Sequence, residues 1–516
     1  MMRTARILVA LLSVCLGHAA WAKVELAAIF TEHMVVQRDR PIPVWGWAPP
    51  GQAVTARLAG QQKAATANAQ GRWQVEFAPL PAGGPHTLEV EAGEKVTVTD
   101  VLVGEVWVCS GQSNMAFEMA GVRDAAKEMA EADYPLIRMW HQGCGASLQP
   151  QERCIALDGQ WVVCTPAMVG RYSAVGYFFA RDLHRQLKVP IGMIHTSWGA
   201  TSAAQWTSED ALAAEPKLQS VLDFERRVVN DYIDAVIKLA PELQKWKDMA
   251  QAAAARDGLP PPAPLTPLPA DPVNLYTHLP TAVFNYMLNP LTAYSIRGVI
   301  WYQGEQDNTV AEQYRTAFPT LIRDWRQRFR DPKMPFLFVQ LCTINAPPEE
   351  PPERSCFAEL REAQAACLSV SNTAMAVTID LGDINDGHPR NKQDVGKRLA
   401  LAARATVYGE KVAFEGPTYR GMKGEGSKIR LAFDHAAGGL VTRNQEAPRG
   451  FAVAGKDGKF VWAQAKVEGE SVLVWSDRVA QPAAVRYAWA DMPLCNLYNQ
   501  AGLPAVPFRT DAPPGP

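Results

Sequence analysis

Val106-Trp107-Val108-Cys109-Ser110-Gly111-Gln112-Ser113-Asn114-Met115 begins as a short apolar run and ends in small, polar, turn-prone residues. That change predicts a buried strand leaving its sheet through a tight turn. Ser113 would then stand just past the strand's C-terminal end, where open α/β sheets place their ligands. A serine held there becomes a nucleophile when a base reaches its hydroxyl. Without a base it is a turn residue that caps the next helix.

On either side of this stretch the pattern repeats. Residues 106–109 are the first of five strand-like apolar runs, followed by 191–195, 299–302, 336–341 and 375–379. Helical stretches alternate with them from about residue 101 to 410, which predicts an α/β domain built on a parallel five-stranded sheet. Between the third and fourth runs, Tyr314, Phe318, Leu321, Ile322, Trp325 and Phe329 recur at spacings of three and four, one face of a helix. An insertion at 209–275 breaks the alternation. It is alanine-rich, charged and helical to about residue 256, then turns proline-rich from Gly258-Leu259-Pro260-Pro261-Pro262 as an extended connector.

Residues 23–100 read as an N-terminal β-sandwich, with short strands at 35–36, 44–47, 73–77, 88–90 and 96–98. Pro49-Pro50-Gly51, Ala69-Gln70-Gly71 and Gly83-Gly84-Pro85 are the expected turns. The module reads first as a scaffold and second as a sugar binder. Residues 411–516 return to β character, with strands at 451–453, 460–462, 472–475 and 485–487 and a loose tail at 512–516.

Hydrophobic residues make up 47% and charged residues 20%, with a formal net charge of −2. No basic excess points to nucleic acid, and no acidic block points to a tail. The first 22 residues read as a secretory signal: Arg3 and Arg6, a short apolar run, and Ala20-Trp21-Ala22 as the cleavage site. An exported chain starting at Lys23 is expected, periplasmic or secreted, and no later run is long enough to span a bilayer. Export permits disulfides. Cys144 with Cys154 or Cys164, and Cys342 with Cys356, are the pairs that would close short loops. No C-x-x-C and no His-x-x-x-His pair occurs, so a structural zinc site is not expected; no cofactor is expected either. The fifteen tryptophans serve either core packing or stacking on sugar rings.

Four strand ends carry polar, glycine-bearing segments. They are Gly111-Gln112-Ser113-Asn114, His195-Thr196-Ser197-Trp198-Gly199-Ala200-Thr201, Gln303-Gly304-Glu305-Gln306-Asp307, and the run from Asp380 through Asp383, Asn385, Asp386 and Gly387 to His388 and Pro389. Packing alone requires no such chemistry, so their convergence on one sheet edge predicts a catalytic site. His33, His86 and His435 fall in the β regions, and His141, His184 and His278 in loops or helices. That leaves His195, better read as a packed strand-end residue, and His388, held before a helix that Pro389 would open. Asp386 is the first choice to orient His388, with Asp383 or a backbone carbonyl as alternatives. The amides of Ser113 and Gly199, with the Gln303 side chain, are the expected oxyanion donors. Glu305 and Asp307 would repel an oxyanion and are expected to brace loops.

These segments resemble the sialate O-acetylesterase family of SGNH hydrolases. The resemblance rests on His33-Met34-Val35-Val36-Gln37-Arg38, Val44-Trp45-Gly46-Trp47, the Gly104–Met115 element, Trp301-Tyr302-Gln303-Gly304-Glu305, Asp386-Gly387-His388-Pro389 and the 503–509 ending. It implies a flavodoxin-like SGNH domain at 101–410 with N-terminal and C-terminal β domains. It also implies metal-free hydrolysis of acetyl esters on sugar hydroxyls through an acyl-serine, with Ser113 as nucleophile and His388 as base. The chain departs from the pattern in two places. Asn385 stands where many SGNH hydrolases have an aspartate, and Gln306-Asp307 stands where this family often has Ser-Asn. The partner expected is an O-acetylated sugar: sialate, or a plant polysaccharide such as xylan or xyloglucan. A non-catalytic carbohydrate-binding protein is the alternative from another class.

Overall fold

The computed structural model describes residues 23–256, 258–262 and 279–511. The signal segment, most of the proline-rich connector, His278 and the 512–516 tail lie outside the described residues. Strands of the central sheet are numbered here in chain order: β1 (Glu94–Gly111), β2 (Tyr134–His141), β3 (Val162–Cys164), β4 (Ile191–Ser197), β5 (Gly298–Tyr302), β6 (Phe336–Gln340) and β7 (Thr373–Val377). Their order in the sheet is β3-β2-β4-β1-β5-β6-β7. β2, β4, β1, β5, β6 and β7 run parallel, and β3 closes one edge antiparallel. The expected five-stranded sheet is therefore corrected to seven strands, six of them parallel. Two strands were missed: β3, a three-residue antiparallel edge strand, and the parallel β2, because Arg138 and Pro135 interrupt its apolar run. Arg138 is nevertheless only 4% exposed, donating to the carbonyls of Pro135 and Asp100 and pairing with the Asp100 carboxylate.

The chain passes from β1 to β2 and the edge strand β3 on one side, returns to β4 between β2 and β1, then crosses to β5, β6 and β7 on the other. β1 is thus flanked by β4 and β5 and marks the topological switch point, where a crevice opens at the carboxyl ends of the strands. Helices cover both faces. They are numbered α1 (Ser113–Ala116), α2 (Ala174–Leu187), α3 (Gln219–Ala254), α4 (Ala311–Arg328), α5 (Cys356–Ala366) and α6 (Lys392–Thr406). α4 carries the face expected from its periodicity, with Tyr314, Phe318, Leu321, Ile322 and Trp325 all buried. Trp301 of β5 meets Trp206, Phe318, Trp325 and Phe336 at ring centroid distances of 5.7–6.2 Å. Such aromatic pairs add roughly 0.5–1.5 kcal/mol each beyond the area they bury, so this cluster holds β5 in place under the site. Eight tryptophans, from Trp45 to Trp325, are fully buried, so packing is the main use of this residue here.

β1 is continuous across residues 100 and 101. Its first half pairs with the strand Gly83–Ala92, and Val35–Gln37 lies parallel to Leu102–Gly104. The N-terminal β region and the central sheet therefore share a strand. Gly83-Gly84-Pro85, expected as a turn, belongs to the strand Gly83–Ala92. A side chain on Gly84 would meet the Val101 carbonyl at 2.8 Å, so the glycine permits close approach rather than reversal. Glu105, fully buried at mid-β1, pairs with Arg38 of the N-terminal region and with Arg297, which precedes β5.

The C-terminal region forms two four-stranded antiparallel sheets and a two-stranded pair. Two polar clasps tie it to the central domain. Asp380 pairs with Arg398 (2.6 Å) and Arg443 (3.0 Å) and accepts from Tyr498 (3.1 Å). Arg361 of α5, wholly buried, donates to the carbonyls of Leu341, Cys342, Ala490 and Asp491. All eight cysteines of the described residues are free thiols, so neither suggested disulfide forms. Among the described residues no helix is long and apolar enough to cross a membrane.

Candidate active site

β1 ends at Gly111, whose φ of +137° excludes side chains; an added Cβ would stand 2.0 Å from the Tyr302 carbonyl oxygen of β5. The chain then turns, and Ser113 opens the four-residue helix α1 with Gln112 at its N-cap. As the first helical residue, Ser113 has a backbone N–H with no intrahelical acceptor. The Gln112 side chain accepts from the amides of Gly304 and Gln306, tying this turn to the one after β5.

His388 arrives from the loop between β7 and α6. Its Nε2 lies 2.8 Å from Ser113 Oγ, and its Nδ1 lies 3.1 Å from Asp386 Oδ1. The same Asp386 oxygen accepts the His388 backbone N–H at 2.8 Å. A carboxylate only accepts, so Nδ1 carries the proton and Nε2 is left to accept from the serine hydroxyl. This arrangement can pull the Ser113 proton onto the imidazole. The side chains of His388 and Asp386 are 44% and 54% exposed, so the pair works at the surface of the crevice. Asp383, the alternative for this role, accepts from the Asn385 amide as a turn former, and the more distant Asp380 is spent on the C-terminal clasp. Pro389 does not open α6; the helix starts at Lys392, and Asn391 caps it by accepting from the Asp394 amide.

The residues expected to meet an oxyanion divide. Gly199 follows β4 closely enough to Ser113 that an added Cβ would lie 3.4 Å from Ser113 Cβ. Gln303 does not stand free. Its Nε2 donates to the Thr201 carbonyl at 3.0 Å and to Asp307 Oδ2 at 2.6 Å, which uses both amide protons. Gln303 is fully buried and braces the loops after β4 and β5, so its expected place among the oxyanion donors is corrected to a structural one. Asp307 also accepts from the Ala203 amide at 2.9 Å, and burial pushes its carboxyl up to about 6.

His195 lies at the end of β4 with its Nε2 2.6 Å from Ser197 Oγ, and burial drives its pKa down to about 3. It makes no contact with Ser113. His141, expected in a loop or helix, is in fact the last residue of β2, paired in register with His195. It bonds Asp158, which also pairs with Arg171, and burial holds its pKa below the usual imidazole range.

Two residues of the site escaped sequence reading. Asn114 is fully buried; its Nδ2 donates to Glu305 Oε1 at 2.5 Å and to the Gly387 carbonyl at 2.9 Å. Lys392, also fully buried, donates to Asn114 Oδ1. Burial raises the Glu305 carboxyl above its ordinary range and brings the Lys392 amine down to about 8. A lysine at the first turn of an amphipathic helix reads as surface, so only its enclosure by Phe117 and Tyr302 shows otherwise.

A parallel sheet presenting a hydroxyl, an imidazole and a carboxylate in sequence at its switch point has the parts for acyl transfer through a nucleophilic serine, and similarity to known proteins gives the class as a carboxylic ester hydrolase. Residues 274–405 match the family described as carbohydrate esterase, sialic acid-specific acetylesterase. The chain is 31% identical to sialate O-acetylesterase of Rattus norvegicus, over 93% of each chain. It is 30% identical to sialate O-acetylesterase of Homo sapiens, over 95% of this chain and 93% of that one. A crystal structure of a carbohydrate acetylesterase from Xanthomonas citri is similar with a TM-score of 0.80 at 36% identity, covering 95% of this chain and all of that one. The chain belongs to the sialate O-acetylesterase family.

Proposed function

We propose that this chain is an exported carbohydrate O-acetylesterase in which Ser113 is the nucleophile. Ser113 Oγ attacks the acetyl carbonyl while His388 Nε2 accepts its proton. The amides of Ser113 and Gly199 receive the developing oxyanion. His388 then protonates the departing sugar oxygen, and water, activated by the same imidazole, releases acetate from the acyl-serine. Asp386 steadies the imidazolium. The observation that carries this reading is the 2.8 Å contact between Ser113 Oγ and His388 Nε2 across 275 residues of chain.

For the substrate, the first reading is an O-acetylated sialate. A cavity of about 480 Å³ beside the His388 loop is lined by Arg123, Arg390, Asn391 and Pro389 together with Asp124 and Asp383. The Arg390 guanidinium donates to the Gly121 carbonyl at 2.9 Å and has no carboxylate partner among the described residues. A cation so placed favours a sugar that carries a carboxylate. Acetylated xylan or xyloglucan is the reading if the cavity takes neutral sugars. Acetate release from O-acetylated sialate, acetylated xylan, acetylated xyloglucan and an aryl acetate tests both levels. Ser113→Ala should lose activity on all four, and full retention overturns the assignment. N-terminal sequencing of protein from the extracellular or periplasmic fraction tests export, with Lys23 expected first.

A further inference from the structure

The Asn114 carboxamide bridges two buried charges of opposite sign. Its oxygen accepts from the Lys392 ammonium, and its nitrogen donates to the Glu305 carboxylate. Reversing the amide would set NH₂ against the ammonium and oxygen against the carboxylate, both repulsive in a low-dielectric interior. The charges therefore select one orientation. In that orientation the second Nδ2 proton reaches the carbonyl of Gly387, the residue directly before His388. Asn114 itself directly follows Ser113. One side chain thus connects the strand end that carries the hydroxyl to the loop that carries the imidazole.

We propose that Lys392 and Asn114 are positioning residues for ester hydrolysis: the buried ammonium and the Glu305 carboxylate lock the Asn114 amide in the orientation that holds Gly387, and so keep His388 facing Ser113. This rests on the assignment of Ser113 and His388 as the reacting pair. Lys392 forms no ion pair within 4 Å among the described residues. The groups that face it are Asn114 and Phe117 beside α1, Tyr302 at the end of β5, and Glu305 in the turn beyond. Cys342, after β6, and Asp386, in the loop of His388, complete the set. The loop is also tied at Arg390, which donates to the Gly121 carbonyl and accepts from the Arg123 amide, but the Asn114–Gly387 contact is the one made directly beside His388. The positively charged form of Lys392 is the one that orients the amide, so kcat falls as the amine loses its proton. Stability moves the other way: a buried lysine with a depressed pKa penalises the fold while charged, and that penalty is relieved as pH rises from about 8 toward the ordinary 10.5.

The test compares Lys392→Met, Glu305→Gln and Ser113→Ala with the wild-type full chain, measuring kcat and KM on an aryl acetate from pH 6 to 10 together with thermal midpoints. Lys392→Met fills the same volume without charge and should fold with an unchanged or higher midpoint. Its kcat should fall about 10- to 100-fold, the cost of roughly an ångström of misplacement. Its KM should stay within about two-fold of wild type, and the fall in kcat above pH 8 should disappear. A folded Lys392→Met enzyme with wild-type kcat and an unchanged basic limb overturns the proposal. Should that variant fail to fold, Glu305→Gln decides: losing the facing anion should move the basic limb to lower pH, and an unmoved limb overturns the proposal. An inactive Ser113→Ala beside a wild-type-like Lys392→Met sinks only this inference, whereas an active Ser113→Ala sinks the assignment beneath it.

Discussion

Asp386→Asn separates charge from geometry at the imidazole. The carboxylate oxygen that meets His388 Nδ1 at 3.1 Å also accepts the His388 amide at 2.8 Å, and an asparagine oxygen can accept both. The substitution therefore keeps the turn and removes the negative charge. In serine proteases, where the orienting aspartate is buried, the same change lowers kcat by roughly 10⁴-fold. Here the two side chains are 54% and 44% exposed, so water screens the interaction. Exposed pairs of this kind contribute about 0.2–1 kcal/mol. A tenfold rate change requires about 1.4 kcal/mol, so kcat should fall by only about 1.4- to 5-fold. The deficit should shrink between 0.05 and 1 M salt, because the Debye length falls to about 3 Å. The assay is kcat and kcat/KM on an aryl acetate at both ionic strengths, with Asp383→Asn alongside as a variant expected to be near wild type. A loss above about 1,000-fold that ignores salt would refute this reasoning, since it would mean that the pair is dry during turnover.

Two further perturbations test the frame around the site. Gly111→Ala places a Cβ 2.0 Å from the Tyr302 carbonyl at a φ of +137°; it should cost about 3–5 kcal/mol in chemical denaturation, and a cost under about 1 would show that the β1–β5 edge relaxes freely. Asp307→Asn should stabilise the fold in a pH-dependent way. The Asp307 carboxyl is raised from 3.8 to about 6, so its favourable contribution is complete below pH 3.8 and lost as pH rises through 6. The variant should gain about 1–3 kcal/mol over wild type at pH 7.5 and nothing near pH 3.8, read from thermal melts at both values.

Much of the candidate site could be read from residues in order. Ser113, Gly199, Asp386 and His388 were each marked by the same local signature, a polar and glycine-bearing segment directly after a buried apolar run. That signature is local because a strand's end and the turn beyond it are decided within a few residues. Apolar periodicity likewise revealed α4 and five of the six parallel strands. It failed at β2, where Arg138 is buried in a strand only because the Pro135 carbonyl and, from 38 residues away, the carbonyl and carboxylate of Asp100 satisfy its guanidinium.

The amino-acid sequence by itself determined the strand ends, the serine and the histidine, because backbone preference and hydrophobic pattern act over short range. Only the tertiary structure decided how polar groups are partnered. It moved Gln303 from oxyanion donor to brace, chose Asp386 over Asp383, left the cysteines unpaired, and enclosed Lys392 against Asn114. A hydrogen bond or a buried charge draws its energy from a partner that can lie hundreds of residues away. Which partner arrives is set by the packing of the whole sheet.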